Sequence, residues 1–218
     1  MRLHLFTSPS KEKIPFNYQS FLTGALHKWM GKNTIHDNMS MYSFSWLNGG
    51  KAENDGLLFE NGAKFFISAA DQDLVKTIYH GIREDSEICF DLRVKEIVIQ
   101  EDPDFKEEAL LHVASPVLIK RQIDGKDVHF SFDHEKSGQL LTETLQHKLR
   151  KVGLSDKDVK VEFDRNYPNP KTKVIFYNKI GNRVNLCPVR ITGTPSQIAF
   201  AWNVGVGNST GIGFGALK

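Results

Sequence analysis

Five glycines crowd the C-terminal end of this 218-residue sequence. Gly205, Gly207, Gly213 and Gly215 form a G-x-G-x5-G-x-G pattern, and Gly211 sits inside it beside the polar run Asn208-Ser209-Thr210. Glycine loses more conformational freedom on folding than any other residue. Such density makes sense where a backbone adopts positive φ or approaches a ligand closely. Bare amides that face one way attract anions, phosphates above all. Gly205, Gly207, Asn208, Ser209, Gly211, Gly213 and Gly215 are therefore candidate phosphate contacts. A flexible tail would share this composition, but Phe214-Gly215-Ala216-Leu217-Lys218 after the loop reads as a strand.

Groups that could move protons come next. Histidine titrates near neutrality, so it can act as base or acid. Of eight histidines, His4 and His112 fall in strand patterns and His147 on a basic helix face. His36 lies in the polar stretch K-N-T-I-H-D-N, where a lone histidine is most often a solvated surface residue. His27 lies on a helix, opposite the apolar stripe Phe21, Leu22, Ala25, Leu26, Trp29. It is not a core histidine, and solvated helix surface is the plain reading.

Positive charge is concentrated late in the chain. The net charge of +2 is uninformative by itself. Within residues 1–108 acids outnumber bases; within 109–218 the balance reverses. Candidate polyanion contacts are Lys148, Arg150 and Lys151 in the run H-K-L-R-K, with Lys171 and Lys173 in N-Y-P-N-P-K-T-K. Lys120, Arg121, Arg165, Lys179 and Arg183 belong to the same population. Tyr167, Phe176 and Tyr177 are interleaved, and phosphate neutralisation with base stacking is the usual combination for RNA. A solvated basic face would look the same.

Other chemistries lack their residues. Cys89 and Cys187 make neither a disulfide framework nor a C-x-x-C metal site and read as free thiols in a reducing cytoplasm. Zinc spacings are absent, and Asp71 and Asp73 complement a helix dipole. No Walker lysine or strand-turn-helix G-x-G-x-x-G is found, so no metal or cofactor is expected. The apolar N-terminal run is too short for a signal peptide, and no run approaches a membrane span.

Two stretches of similar grammar must position these groups. The first reads strand (Leu3–Phe6), helix (capped by Asn17, stopped by Gly31), strands over 41–47, 57–59 and 64–69, helix over 71–83, and strand over 88–99. The second reads strand over 109–120 with Pro116 demanding an edge or bulge. A D-G-K-D hairpin turn (124–127) and a helix with Leu140, Leu141, Leu145, Leu149 and Val152 on its inner face follow. Strands then cover 160–163, 174–177 and 184–192, with a short helix from Thr194-Pro195 and the glycine loop last. Gln100–Glu108 is the expected linker. Both halves follow β-α-β-β-α-β order, predicting an α+β chain of tandem ferredoxin-like domains, 1–100 and 109–218.

The glycine pattern, P-F-N-Y-Q-S-F-L-T-G-A-L at the first helix, the histidine just after that helix and the A-S-P-V strand together resemble the CRISPR repeat-processing endoribonucleases of the RAMP superfamily. The resemblance spans the whole chain, and the glycine loop is its specific element. It implies binding of CRISPR repeat RNA and one metal-independent cut per repeat, leaving a 2′,3′-cyclic phosphate and a 5′-hydroxyl. It implies that His36, in the post-helix loop, is catalytic, with His27 facing the scissile phosphate. His27 stands where a familiar version of that site has a tyrosine. The lysine of that version is missing shortly after His36, where Ser40 and Tyr42 stand, so the third role is open. The resemblance also allows a non-catalytic RNA-binding subunit of an RNA-guided effector complex, or a homodimer. An unrelated ferredoxin-like module binding a small anion is the third possibility.

Overall fold

The computed structural model describes residues 1–31 and 39–218. Chain order in the first half is β1 (Arg2–Thr7), α1 (Gln19–Met30), β2 (Tyr42–Phe44), β3 (Lys51–Ala52), β4 (Leu57–Leu58), β5 (Lys64–Ala69), α2 (Gln72–Glu84), β6 (Glu87–Cys89) and β7 (Leu92–Gln100). Its sheet order is β2-β5-β1-β7-β6. The pairings β2–β5, β5–β1 and β1–β7 are all antiparallel. Omitting the small β3–β4 hairpin and the edge strand β6, this is the fourth-first-third-second strand order of a ferredoxin-like unit.

Local chemistry explains the elements. The Asp71 carboxylate accepts the Asp73 amide at 2.9 Å and caps α2, as an Asx N-cap should. α1 stops at Gly31, whose φ is +69°. Its N-cap is Tyr18, without a side-chain capping bond, one residue after the expected Asn17. Leu22, Ala25, Leu26, Trp29 and Met30 bury the expected stripe, but Phe21 is 49% exposed and packs edge-on against Phe90. The single strand expected over 88–99 is two strands, β6 and β7. Phe90 and Asp91 take left-handed φ and reverse the chain between them.

Residues 101–107 connect to the second half: β8 (Glu108–Leu111), β9 (Val117–Leu118), β10 (Lys120–Ile123), β11 (Lys126–His129), α3 (Ser137–Lys151), β12 (Lys160–Phe163), β13 (Lys171–Tyr177), β14 (Ile180–Leu186), β15 (Val189–Thr192) and α4 (Pro195–Val204). The order β12-β15-β8 is extended by the chain end, where the His112 amide donates to the Lys218 carbonyl and the Lys218 amide donates back. That again gives the fourth-first-third-second order. The strand expected over 109–120 breaks into β8, β9 and β10, which lie in three different sheets; Pro116, which cannot donate to a ladder, sits in the gap between β8 and β9. The strand expected over 184–192 breaks at Cys187-Pro188, and β14 and β15 lie in different sheets. Asp124 and Gly125, both at positive φ, turn the β10–β11 hairpin, and a Thr194–Gln197 capping box with Pro195 starts α4.

Each half has its own apolar core. Leu5, Leu26, Trp29, Phe44 and Ile78 anchor one; Leu141, Leu145, Val161, Ile191 and Trp202 anchor the other. Arg2 of β1 joins them. Its guanidinium lies 3.7 Å from the Phe66 ring centroid and 3.4 Å from that of Trp202. It donates to the carbonyls of Trp202 (3.1 Å) and Leu217 (2.8 Å). Burial lowers its pKa and the charge of Asp102 opposes the shift, but an arginine so bonded stays charged at neutral pH. Arg2→Leu would orphan two buried carbonyls and break a cation–π sandwich, so it should cost about 3 kcal/mol. Urea unfolding of the two proteins measures it; a loss under about 1 kcal/mol would mean that the joint is marginal.

Candidate nucleic-acid interface

The glycine loop is largely buried and meets the first half. Gly205, Gly207, Gly211, Gly213 and Gly215 are all buried; Asn208, Ser209 and Ile212 are half-buried. A Cβ at Gly211 would run into Ser40 Oγ and lie 3.0 Å from the Tyr42 hydroxyl. At Gly213 it would lie 2.8 Å from the Phe44 ring. Gly215 combines φ +67° with a Cβ position that collides with the Val206 carbonyl. Gly211 and Gly213 therefore allow close packing of one half on the other, and Gly215 lets the loop fold back on Val206 within its own half. Phe214, fully buried with Leu118 and Val184, pins the loop to β9 and β14. The strand expected after the loop is reduced to a single bridge, Val113 to Leu217, flanked by backbone bonds.

First-half side chains satisfy the loop's carbonyls. Tyr42 donates to Gly211 at 3.1 Å, Gln19 to Ile212 at 2.5 Å and Trp46 to Gly213 at 2.7 Å. Half-buried His27 places Nε2 3.4 Å from the Tyr42 hydroxyl. Burial pushes the Tyr42 phenol up to about 12, although a bond with the Ser40 side chain opposes the shift. Tyr42 is therefore a neutral donor at ordinary pH. With its hydrogen committed to Gly211, its oxygen can accept from His27 Nε2. His36 lies outside the described residues.

Behind this contact a cleft of about 1260 Å³ opens between the halves. Ser40, Tyr42, Asp71, Leu74 and Asp102 form one wall; Thr144, His147, Lys148, Lys151 and Asn203 form the other, with Gly207, Asn208, Ser209 and Thr210 at the loop. The candidate cations are dispersed. Lys148 is only 3% exposed, a departure from its expected place on an exposed basic face. Arg150 is exposed and paired with Asp156. Lys151 is exposed at the cleft edge. Lys171 and Lys173 are exposed on β13, where Val174 and Phe176 are also exposed. Asn208 braces the loop against β10, where its carbonyl oxygen accepts the Lys120 amide at 2.9 Å and Arg121 Nη1 at 3.3 Å.

Sequence reasoning missed Tyr42 as a partner of His27, and Arg2. Nothing local marks either; both are defined by contacts with residues far along the chain. Among the described residues, no group of three or more His, Cys, Asp or Glu could hold a metal ion, and no helix is long and apolar enough to cross a membrane. Both cysteines are free thiols.

Residues 99–218 match the C-terminal region of the CRISPR-associated protein Cas6 family. The chain belongs to the Cas6 family. No curated protein matches it. Solved structures that share the fold across its whole length include three with TM-scores above 0.8. A Cas6-related protein from Pyrococcus furiosus superposes with a TM-score of 0.87 at 20% identity, covering 100% of this chain and 97% of its own. A RAMP protein described as binding different RNA substrates gives 0.84 at 18%, with 100% and 98% covered. A CRISPR-associated Cas6 protein gives 0.83 at 20%, with 100% and 98% covered. At these identities the likeness establishes the fold. In this Cas6 chain Gly215→Ala, away from the cleft, should cost at least about 3 kcal/mol through strained φ and a backbone clash. Tyr42→Phe should cost about 1 kcal/mol by orphaning the Gly211 carbonyl. Chemical denaturation checks both, and a larger loss for Tyr42→Phe would reverse the ranking.

Proposed function

We propose that this Cas6 protein binds CRISPR repeat RNA across the seam between its halves, 1–100 and 109–218, and cuts the precursor transcript. The observation that carries this reading is His27 set against Tyr42 and the Gly211 carbonyl, where the glycine loop meets the first half and borders a large cleft. RNA supplies its own nucleophile, the 2′-hydroxyl beside each phosphate. One group takes that proton as O2′ attacks phosphorus. A second gives a proton to the departing 5′-oxygen, and the products are a 2′,3′-cyclic phosphate and a 5′-hydroxyl. His27 and His36 are assigned to the two proton transfers. The Tyr42 hydroxyl orients His27 and is not a proton-transfer group, because it remains protonated at working pH.

Binding is assigned to the loop residues at the cleft, Gly207, Asn208 and Ser209, and to Lys148 and Lys151. Arg150, Lys171 and Lys173 contribute phosphate contacts further out. Gly205, Gly211, Gly213 and Gly215 act by letting the loop take this path. Association with an RNA-guided effector complex is compatible with this use of the surface.

The test is cleavage of a labelled repeat RNA in EDTA. Cutting is expected to persist, with a cyclic phosphate at the upstream product's end. His36→Ala and His27→Ala should each slow cutting by about 10²–10⁴ while repeat-RNA affinity changes little. If one histidine is base and the other acid, the pH–rate profile is bell-shaped. Full-speed cutting by folded His27→Ala would remove His27 from the mechanism. Tight binding without cutting by the wild type would make the protein an RNA-binding subunit only.

A further inference from the structure

Among the described residues, Lys148 is a buried ammonium group without a counter-ion. It lies on the inner side of α3, 3% exposed, yet lines the cleft. Its Nζ donates to the Val204 carbonyl and to Thr210 Oγ1, both at 2.9 Å. An ammonium has three donors, and these two acceptors are neutral. Burying a charge this way is costly unless it is paired or discharged.

The surroundings do not neutralise it. On α3, His147 and Lys151 are exposed, and Glu143 faces Arg121 of β10 at 3.6 Å. Lys160 and Glu162 of β12, which packs on α3, pair with each other. α4 carries no titratable side chain. Across the cleft stand Asp71 at the head of α2 and Asp102 in the connection, and Asp102 is bonded to Asn203. Desolvation is the only cause acting on the Lys148 pKa, which falls to about 7. Among the described residues, therefore, no carboxylate compensates it.

Polar loop residues line the cleft beside it. Thr210 carries one of the two acceptors, and Asn208 and Ser209 share the same wall of the cleft. We infer that Lys148 anchors an RNA phosphate in the cleft between the halves, and that RNA binding is coupled to uptake of one proton at this lysine. This rests on the reading of the protein as an RNA binder. A phosphodiester stays singly charged across this pH range, so it supplies the missing negative charge and holds the ammonium form.

Linkage sets the direction of the pH dependence. Below pH about 7 Lys148 is already charged and binding takes up no proton there. Above it, the free protein is neutral at this site and the complex is charged, so affinity falls by up to about tenfold per pH unit.

The probe is a fluorescein-labelled single-stranded CRISPR repeat RNA, with anisotropy measured on the full chain from pH about 6 to 9. Wild-type affinity should fall roughly tenfold between pH about 7.5 and 8.5. Lys148→Met, an unbranched apolar replacement, should bind more weakly at pH about 6.5 and show little slope above 7.5. Equal slopes for both proteins, or a flat wild-type profile, would overturn the inference and leave RNA binding standing. Absence of RNA binding at every pH would overturn the functional reading and this inference with it. If Lys148→Met fails to fold, NMR of the wild-type lysine Cε signals decides. RNA should raise the Lys148 midpoint by at least about one pH unit, and an unmoved midpoint refutes the anchor.

Discussion

The carbonyl groups between Trp202 and Leu217 impose the constraint on which this molecule depends. Most of this stretch beyond α4 is neither helix nor strand, yet it is buried. Buried carbonyls need donors. The first half supplies them from side chains: Arg2 to Trp202 and Leu217, Ser43 to Asn203, Tyr42 to Gly211, Gln19 to Ile212 and Trp46 to Gly213. Each bond holds the two halves together and fixes one point of the loop. The glycines are the other side of the same requirement, because a Cβ at Gly211 or Gly213 would occupy the space of Ser40 or Phe44.

Stability and the proposed chemistry therefore draw on the same contacts. The loop that closes the seam also forms the end of the cleft, and the tyrosine that satisfies Gly211 also faces His27. A shift of the loop would disturb His27's partner and the cleft wall together. This explains why a glycine-rich element, costly in chain entropy, is worth having here. It brings a helix of the first half and α3 of the second against the same short segment.

Two buried cations show how differently the fold treats charge. Arg2 lies between two aromatic faces, donates to two carbonyls and feels Asp102, so its charge is compensated within the protein. Lys148 has neutral acceptors only and is pulled toward neutrality. The first arrangement suits a permanent structural joint. The second suits a site completed from outside, as a phosphate-bearing ligand would do.

Much of the architecture was legible in the residues. Helical spacing at Leu74, Val75, Ile78 and Ile82, the acidic start at Asp71 and Asp73, the Asp124-Gly125 turn and the Thr194-Pro195 start are local signals, and each led to the element now seen. Strand breaks at Phe90-Asp91 and Cys187-Pro188 were missed, because an apolar run does not show where it changes partner. The glycine pattern marked an unusual backbone and suggested phosphate contact. Only the tertiary structure placed its buried face against Ser40, Tyr42 and Phe44. The H-K-L-R-K run read as one basic surface, but α3 turns Lys148 inward and leaves Arg150 and Lys151 outside. Phe21 and Val152 read as core and are exposed. Local sequence determines backbone preference and periodicity. The environment of a side chain depends on residues as distant in the chain as Tyr42 and Gly211, and those meet only when both halves have folded.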